Sequence, residues 1–311
     1  MKDEIVKNIE QKIGISNIVK LLAERLSGSE LNSLLLEIFN KKIENISPAL
    51  LLKQYRANGF VHPAETDLIG LLKMELRTLE FLQQNHFQPI ELSPASQFGS
   101  CSVVSPTDQK KIISATRNTE IVADATNSIA LHIADLKKSG VEENILRFCT
   151  IQRHIRTQPF KGAGFTQHFK IGCMVSSGRD TGSNQFECAN LLEHILTLNN
   201  LFIKVFNIEK IRFKILPRGG YDDSSLLIQR VINHLTKEIP GINITVDESP
   251  PHNNYYKGIQ FKMIIEINDK EFEIADGGFV DWTQQLLENK KERLLISGFG
   301  FDLLYKLQNK L

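Results

Sequence analysis

Beyond residue 87, short apolar runs follow one another at hairpin spacing, and this constrains the fold more than any other feature of the chain. The runs 260–267 and 272–275 are separated by little more than Asn268-Asp269, a residue pair suited to a tight turn. Parallel neighbours would need crossovers of a dozen residues or more, so links this short imply antiparallel pairing. Further strands are expected at 87–92, 111–114, 120–123, 147–155, 165–175, 210–216 and 242–246. Helical periodicity places helices at 127–138, 184–199, 223–238, 281–290 and 301–310. The expected class is α+β, an antiparallel sheet flanked by helices.

The first 85 residues read as helix after helix. Amphipathic stretches cover 3–13, 16–26 and 29–43, and Ser47-Pro48 opens another by N-cap and N1 chemistry. A longer helix spans 67–85. The expected division is a helical domain over 1–62 and a core over 63–311, with the hinge near 56–66. Composition adds bounds. Hydrophobic content of 41% with 23% charged residues is globular, and a formal charge of +1 gives no global field for nucleic acid. Cys101, Cys149, Cys173 and Cys188 show no metal-ligand spacing, so free thiols, a reducing compartment and no protein-held metal are expected. No apolar run reaches bilayer length, and the N-terminus lacks an apolar targeting stretch, so the expectation is cytoplasmic with no membrane contact.

The most informative local stretch is Ile155-Arg156-Thr157-Gln158, followed by a turn-forming 159–164 and a strand-like 165–172. It resembles motif 2 of class II aminoacyl-tRNA synthetases, a strand ending in Phe-Arg-x-Glu that turns into a second strand. Read in order, residues 67–308 resemble the catalytic core of histidyl-tRNA synthetase and its paralogues. The helix at 67–85 with the strand to Pro94 falls at motif 1, which in the family builds a dimer interface. Asp124-Ala125-Thr126 falls at Pro-Glu-Gly-Thr, Tyr255-Tyr256 at the tyrosine pair, Gly277-Gly278 at Gly-Gly-Arg-Tyr-Asp, and 298–304 at motif 3. The resemblance implies that Arg156 meets the α-phosphate of ATP and a substrate carboxylate, with Gln158 beside it. It implies that Asp124 holds the substrate α-amino group, with Thr126, Lys170, Tyr255, Tyr256, Gly277 and Gly278 around the substrate. His168 or Phe169 would cover adenine, and Mg²⁺ would balance phosphate charge.

Several departures accompany these matches. Tyr305 stands at the motif 3 arginine, Pro251 and Phe279 at two further arginines, Gly164 and Thr166 at two more, and Met174 near the histidine-reading acid. Charged hydrogen bonds are worth about 1.5–3 kcal/mol each, so genuine histidyl-tRNA synthetase activity is not expected. The resemblance stops just after motif 3, so no anticodon-binding domain is expected and tRNA is an unfavoured partner. Two functions lead, ahead of an RNA-binding factor, which would need a basic face. One is ATP-dependent adenylation of an amino acid or similar small carboxylate for an acceptor, by a homodimer. The other is a catalytically inactive paralogue, like the ATP phosphoribosyltransferase regulatory subunit, that binds a metabolite and regulates a partner enzyme through the N-terminal helices.

Most of these residues also have plainer readings. Arg156 could be a paired sheet arginine, and Asp124 an N-cap residue. Arg153 lies an odd number of residues from Arg156 and is expected on the other strand face. His154 is in phase with Arg156 but is more often a satisfied sheet histidine. Arg179, in the polar run 176–183 before a helix, could serve an anion-binding turn or merely a loop. Glu120 or Asp124 could hold an ammonium or Mg²⁺, against an Arg117–Glu120 surface pair as the plainer reading that is favoured for Glu120, and Cys101 is expected to be an inert buried thiol.

Overall fold

The computed structural model describes residues 2–157, 167–247, 249 and 254–309. The expected N-terminal helices are present as α1 (Lys2–Ile13), α2 (Ile18–Arg25), α3 (Gly28–Ile43) and α4 (Pro48–Ala57). Ser27 and Glu30 close a capping box at the start of α3, and Ser47 caps α4 ahead of Pro48. None of α2, α3 and α4 buries a residue; Ile38, Leu51 and Leu52 stand exposed. Asn32 of α3 reaches the 117–118 turn, hydrogen-bonding the Arg117 N–H and the Asn118 side chain. No helix among the described residues is long and apolar enough to cross a membrane.

The core begins with α5 (Leu68–Gln84), which buries Leu71, Thr78 and Leu82 while Leu68, Leu72 and Leu76 line an exposed face. It leads into β1 (Gln88–Pro89), the small pair β2 (Ala95–Gln97) and β3 (Thr119–Ile121), then α6 (Ala125–Lys138). The long hairpin β4 (Leu146–Ile155) and β5 (His168–Arg179) follows, then α7 (Gln185–Lys204), β6 (Ile211–Pro217), α8 (Ser224–Glu238) and β7 (Ile244–Val246). The chain continues through β8 (Lys257–Ile267), β9 (Lys270–Val280), α9 (Trp282–Leu287), β10 (Glu292–Gly300) and α10 (Phe301–Asn309). Eight strands form one sheet in the order β1-β4-β5-β10-β9-β8-β6-β7. Only β1–β4 and β6–β7 pair in parallel; the remaining pairs are antiparallel. The β8–β9 turn has Asn268 and Asp269 both at positive φ, the geometry that residue pair favours.

Alternation along the strands builds two layers. Cys149, Met174, Leu295 and Phe299 face α5, α7 and α8 in the large core, whereas Phe148, Val175, Leu294 and Ile296 face α6 and α9 in a smaller one. The smaller layer covers only part of its sheet face, and the uncovered part becomes the floor of the site.

Two expectations fail locally. Residues 111–114 form no strand, only a short 3₁₀ turn (Gln109–Lys111) and a single bridge from Ser114 to Glu120. The reason is Glu120, which is fully buried and does not pair with Arg117. Its carboxylate accepts from the Gly99 and Cys101 N–H groups, Ser100 Oγ and Gln109 Nε2, so the loop wraps around the acid. Conversely, β10 forms where the sequence predicts no strand, because Ser297, Gly298 and Gly300 weaken its signal.

Candidate active site

The cavity floor is set by register. Across the sheet, Thr150 pairs with Cys173, Cys173 with Gly298, Gly298 with Asp276 and Asp276 with Lys262. Four residues along the β4–β5 pair, His154 sits beside Phe169. Gly298 contributes no side chain to this row, which leaves space between Cys173 and Asp276. Above it lies a cavity of about 290 Å³, walled by Asp124, Thr126, His154, Arg156, Tyr255 and Tyr256. A second cavity of about 650 Å³ adjoins it and shares Asp124, Arg156, Tyr255, Tyr256, Glu273 and Asp276. Lys111, Lys214 and Arg218 line only the larger one. The Arg218 guanidinium is held by Gln260 Oε1, at 2.7 and 3.1 Å.

Asp124 takes the N-cap role and also lines the cavity. It is the N-cap of α6: its Oδ1 accepts from the Thr126 N–H (3.0 Å) and hydroxyl (2.7 Å), and its Oδ2 accepts from Tyr255 (2.7 Å). Tyr256 makes the parallel bond to Asp276 (3.1 Å), and the two tyrosine rings meet edge to face with centroids 4.9 Å apart. Arg156 enters from the end of β4. Its Nε donates to the Ala123 carbonyl (3.1 Å) and its guanidinium lies over Phe169, 5.6 Å from the ring centre. Neither Asp124, Asp276 nor Arg156 is in a salt bridge among the described residues.

His154 is more than a sheet histidine. Its Nε2 accepts from the Ala125 N–H (3.1 Å), so the ring proton is on Nδ1, which has no partner among the described residues. Burial lowers its pKa to about 4, against the Asp124 charge and with that of Arg156. Burial pushes the Asp276 carboxyl above its ordinary range; the Tyr256 hydrogen bond works against this, and the charges of Glu273 and Asp124 work with it. Cys101 is the inert thiol expected, raised to about 12 by burial.

Other expectations are corrected. His168 does not line either cavity; its ring contacts the His62 carbonyl and Arg153. Arg179 ends β5 on Glu292, so residues 176–179 are strand and only 180–184 form the turn before α7; Arg179 lines neither cavity. Lys170 is in the wall but ion-paired to Glu75, and Arg153 is held by Asp302 at 3.3 Å. Gln158 lies outside the described residues. Gly277 and Gly278 line neither cavity. A Cβ on Gly277 would come within 2.5 Å of the Ile296 carbonyl oxygen, and one on Gly278 within 2.5 Å of that of Ile259 and 2.7 Å of the Tyr256 ring. They are glycine because adjacent strands and Tyr256 crowd them. Gly278→Ala is therefore expected to cost about 1–3 kcal/mol in urea unfolding and to disturb the tyrosine near-UV signal. Wild-type stability and spectrum would contradict this packing.

The sheet order and the helical layers are those of a class II aminoacyl-tRNA synthetase-like fold. Among solved structures it is similar to apo histidyl-tRNA synthetase of S. aureus (13% identity, TM-score 0.62, covering 82% of this chain and 70% of that one). It is equally similar to an ATP phosphoribosyltransferase regulatory subunit/histidyl-tRNA synthetase from Bacillus halodurans (13% identity, TM-score 0.61, covering 81% and 83%). Pyrrolysyl-tRNA synthetase from Desulfitobacterium hafniense follows at a TM-score of 0.50, 12% identity, and coverage of 77% and 70%. No protein-family model and no curated protein matches the sequence. At these identities the likeness is one of fold, and function rests on the site.

Proposed function

We propose that this protein binds an amino acid or similar small amino-carboxylate and activates its carboxylate with ATP, for transfer to an acceptor. The observation that carries the reading is that Asp124 and Arg156, from different elements, face one cavity with neither in a described salt bridge. Asp124 offers an ammonium group a carboxylate already oriented by Thr126 and Tyr255. Arg156 offers paired donors to a carboxylate and to the α-phosphate it attacks. In that attack the carboxylate oxygen bonds to the α-phosphorus, the bond to the bridging oxygen breaks, and pyrophosphate leaves. Arg156 neutralises charge accumulating on the non-bridging oxygens. No group of three or more His, Cys, Asp or Glu among the described residues could hold a metal, so Mg²⁺ would arrive on the nucleotide's phosphates.

A second reading, binding without activation, is favoured by the Phe169 end of the cavity. Lys170 of the wall is already engaged by Glu75 and the wall's Asp302 by Arg153, while Tyr305, outside the wall, donates its hydroxyl to Asp67 (3.0 Å). ATP–pyrophosphate exchange with Mg²⁺ and the standard amino acids, histidine included, separates the two. The expected result is exchange dependent on one amino acid. Its absence from folded protein, beside measurable ligand binding, would replace activation with regulation of a partner enzyme.

A further inference from the structure

The charge of the cavity wall says which amino-carboxylate fits. Four carboxylates line the smaller cavity (Asp124, Glu273, Asp276, Asp302) against two cations (Arg156, Lys170). Three of those charges have partners: Glu273 meets Lys262 at 2.8 Å, Asp302 meets Arg153, and Lys170 meets Glu75. Two carboxylates and one guanidinium remain, and these are the groups on the wall shared with the larger cavity. An ordinary zwitterion matches Asp124 and Arg156 but leaves Asp276 facing it without a counter-ion. The charges that act on Asp276 include Glu273, Asp124 and Lys262, and Lys262 is bonded to Glu273.

A buried carboxylate that keeps its charge beside other acids is costly unless a cation meets it. Among the described residues no cation is ion-paired to Asp276, and no group of three or more His, Cys, Asp or Glu could hold a metal. Tyr256 fixes one oxygen of Asp276 just as Tyr255 fixes one of Asp124, so the two acids are presented as a matched pair. Gly298, between Cys173 and Asp276, leaves open the approach to the second acid.

We propose that Asp276 selects a substrate with a second cationic nitrogen: a diamino acid whose α-amino group meets Asp124, whose carboxylate meets Arg156, and whose side-chain ammonium meets Asp276. This deepens the amino-carboxylate reading above and rests on it; adenylation is not required.

The test is isothermal titration of the full chain with lysine, ornithine and 2,4-diaminobutyrate, each against its neutral counterpart such as norleucine for lysine. One diamino acid is expected to bind at least about tenfold tighter than its counterpart, as desolvated charge pairs do. Asp276→Asn should abolish that preference while the protein keeps its circular dichroism, and Asp276→Glu should restore it, with the favoured chain length changed. Equal binding of the neutral partner, a preference that persists in Asp276→Asn, or no binding by any member would overturn the proposal. Pyrophosphate exchange run in parallel separates the two claims. Diamino acid binding without exchange retires activation and leaves this assignment standing; exchange with a neutral amino acid alone does the reverse.

Discussion

Arg156→Ala is expected to reduce amino acid-dependent pyrophosphate exchange by about 10²–10³-fold, the loss seen when one preorganised donor to a developing charge is removed. The geometry makes the residue hard to replace. Its Nε is fixed by the Ala123 carbonyl and its flat face by Phe169, which orients the terminal nitrogens into the wall common to both cavities. Lys170, the other cation on the smaller cavity, is tied to Glu75 and does not stand in. The cost to folding should be small, because the substitution removes one hydrogen bond, worth about 1 kcal/mol, and no ion pair among the described residues. Arg156→Lys should recover part of the activity, since a point charge restores attraction but not the bidentate grip. Exchange within a few-fold of wild type in the alanine variant would remove Arg156 from the chemistry. An unfolded variant would show instead that its bond to Ala123 holds β4 to α6.

The sequence made the antiparallel core, the α5-like helix and the Arg156 segment legible because each has a local signature: turn chemistry, periodicity, or residue order. What it concealed was relational. Asp276 is an unremarkable acid before two glycines until the register of β9 on β10 sets it beside Gly298, one strand from Cys173. His154 was visible as being in phase with Arg156, but its orphan Nδ1 follows from the Ala125 N–H at the start of α6, 29 residues away. Errors ran the other way where a motif position outweighed packing. Gly277 and Gly278 read as allowing close approach either to a ligand or to a neighbouring strand; their place in the resemblance favours ligand, yet the strand is what crowds them, with a carbonyl oxygen 2.5 Å from either Cβ. His168 and Arg179 failed similarly, each engaged elsewhere by a group distant in sequence.

The same buried imidazoles set an acid limit on the fold. Burial holds His154 at about 4 and His194 at about 3, each below the ordinary value near 6.5 that the unfolded chain would show. His194 is locked as a neutral ring between Ser176 and Ser297, each at 2.9 Å. As pH falls from about 6.5 the unfolded chain takes up protons that the folded one refuses, so stability must decrease on acidification. Two such groups give a slope of about 2.7 kcal/mol per pH unit near pH 5. Asp276 opposes part of this, because its raised pKa makes the folded state the better proton acceptor as it titrates. Carboxylates held below their usual range, such as Asp67 and Asp247, add their loss only at lower pH. Urea unfolding at pH 6.5, 6.0, 5.5 and 5.0 should therefore show a steep fall before the carboxylate range begins. His194→Gln should reduce the slope by nearly one proton, even if its absolute stability is also lower. A flat profile between pH 6.5 and 5.0 would mean that these rings gain protons while folded. The Ser176–His194–Ser297 chain would then be charged, placing a cation behind the cavity at Ser297 and weakening the case that the site awaits one from its ligand.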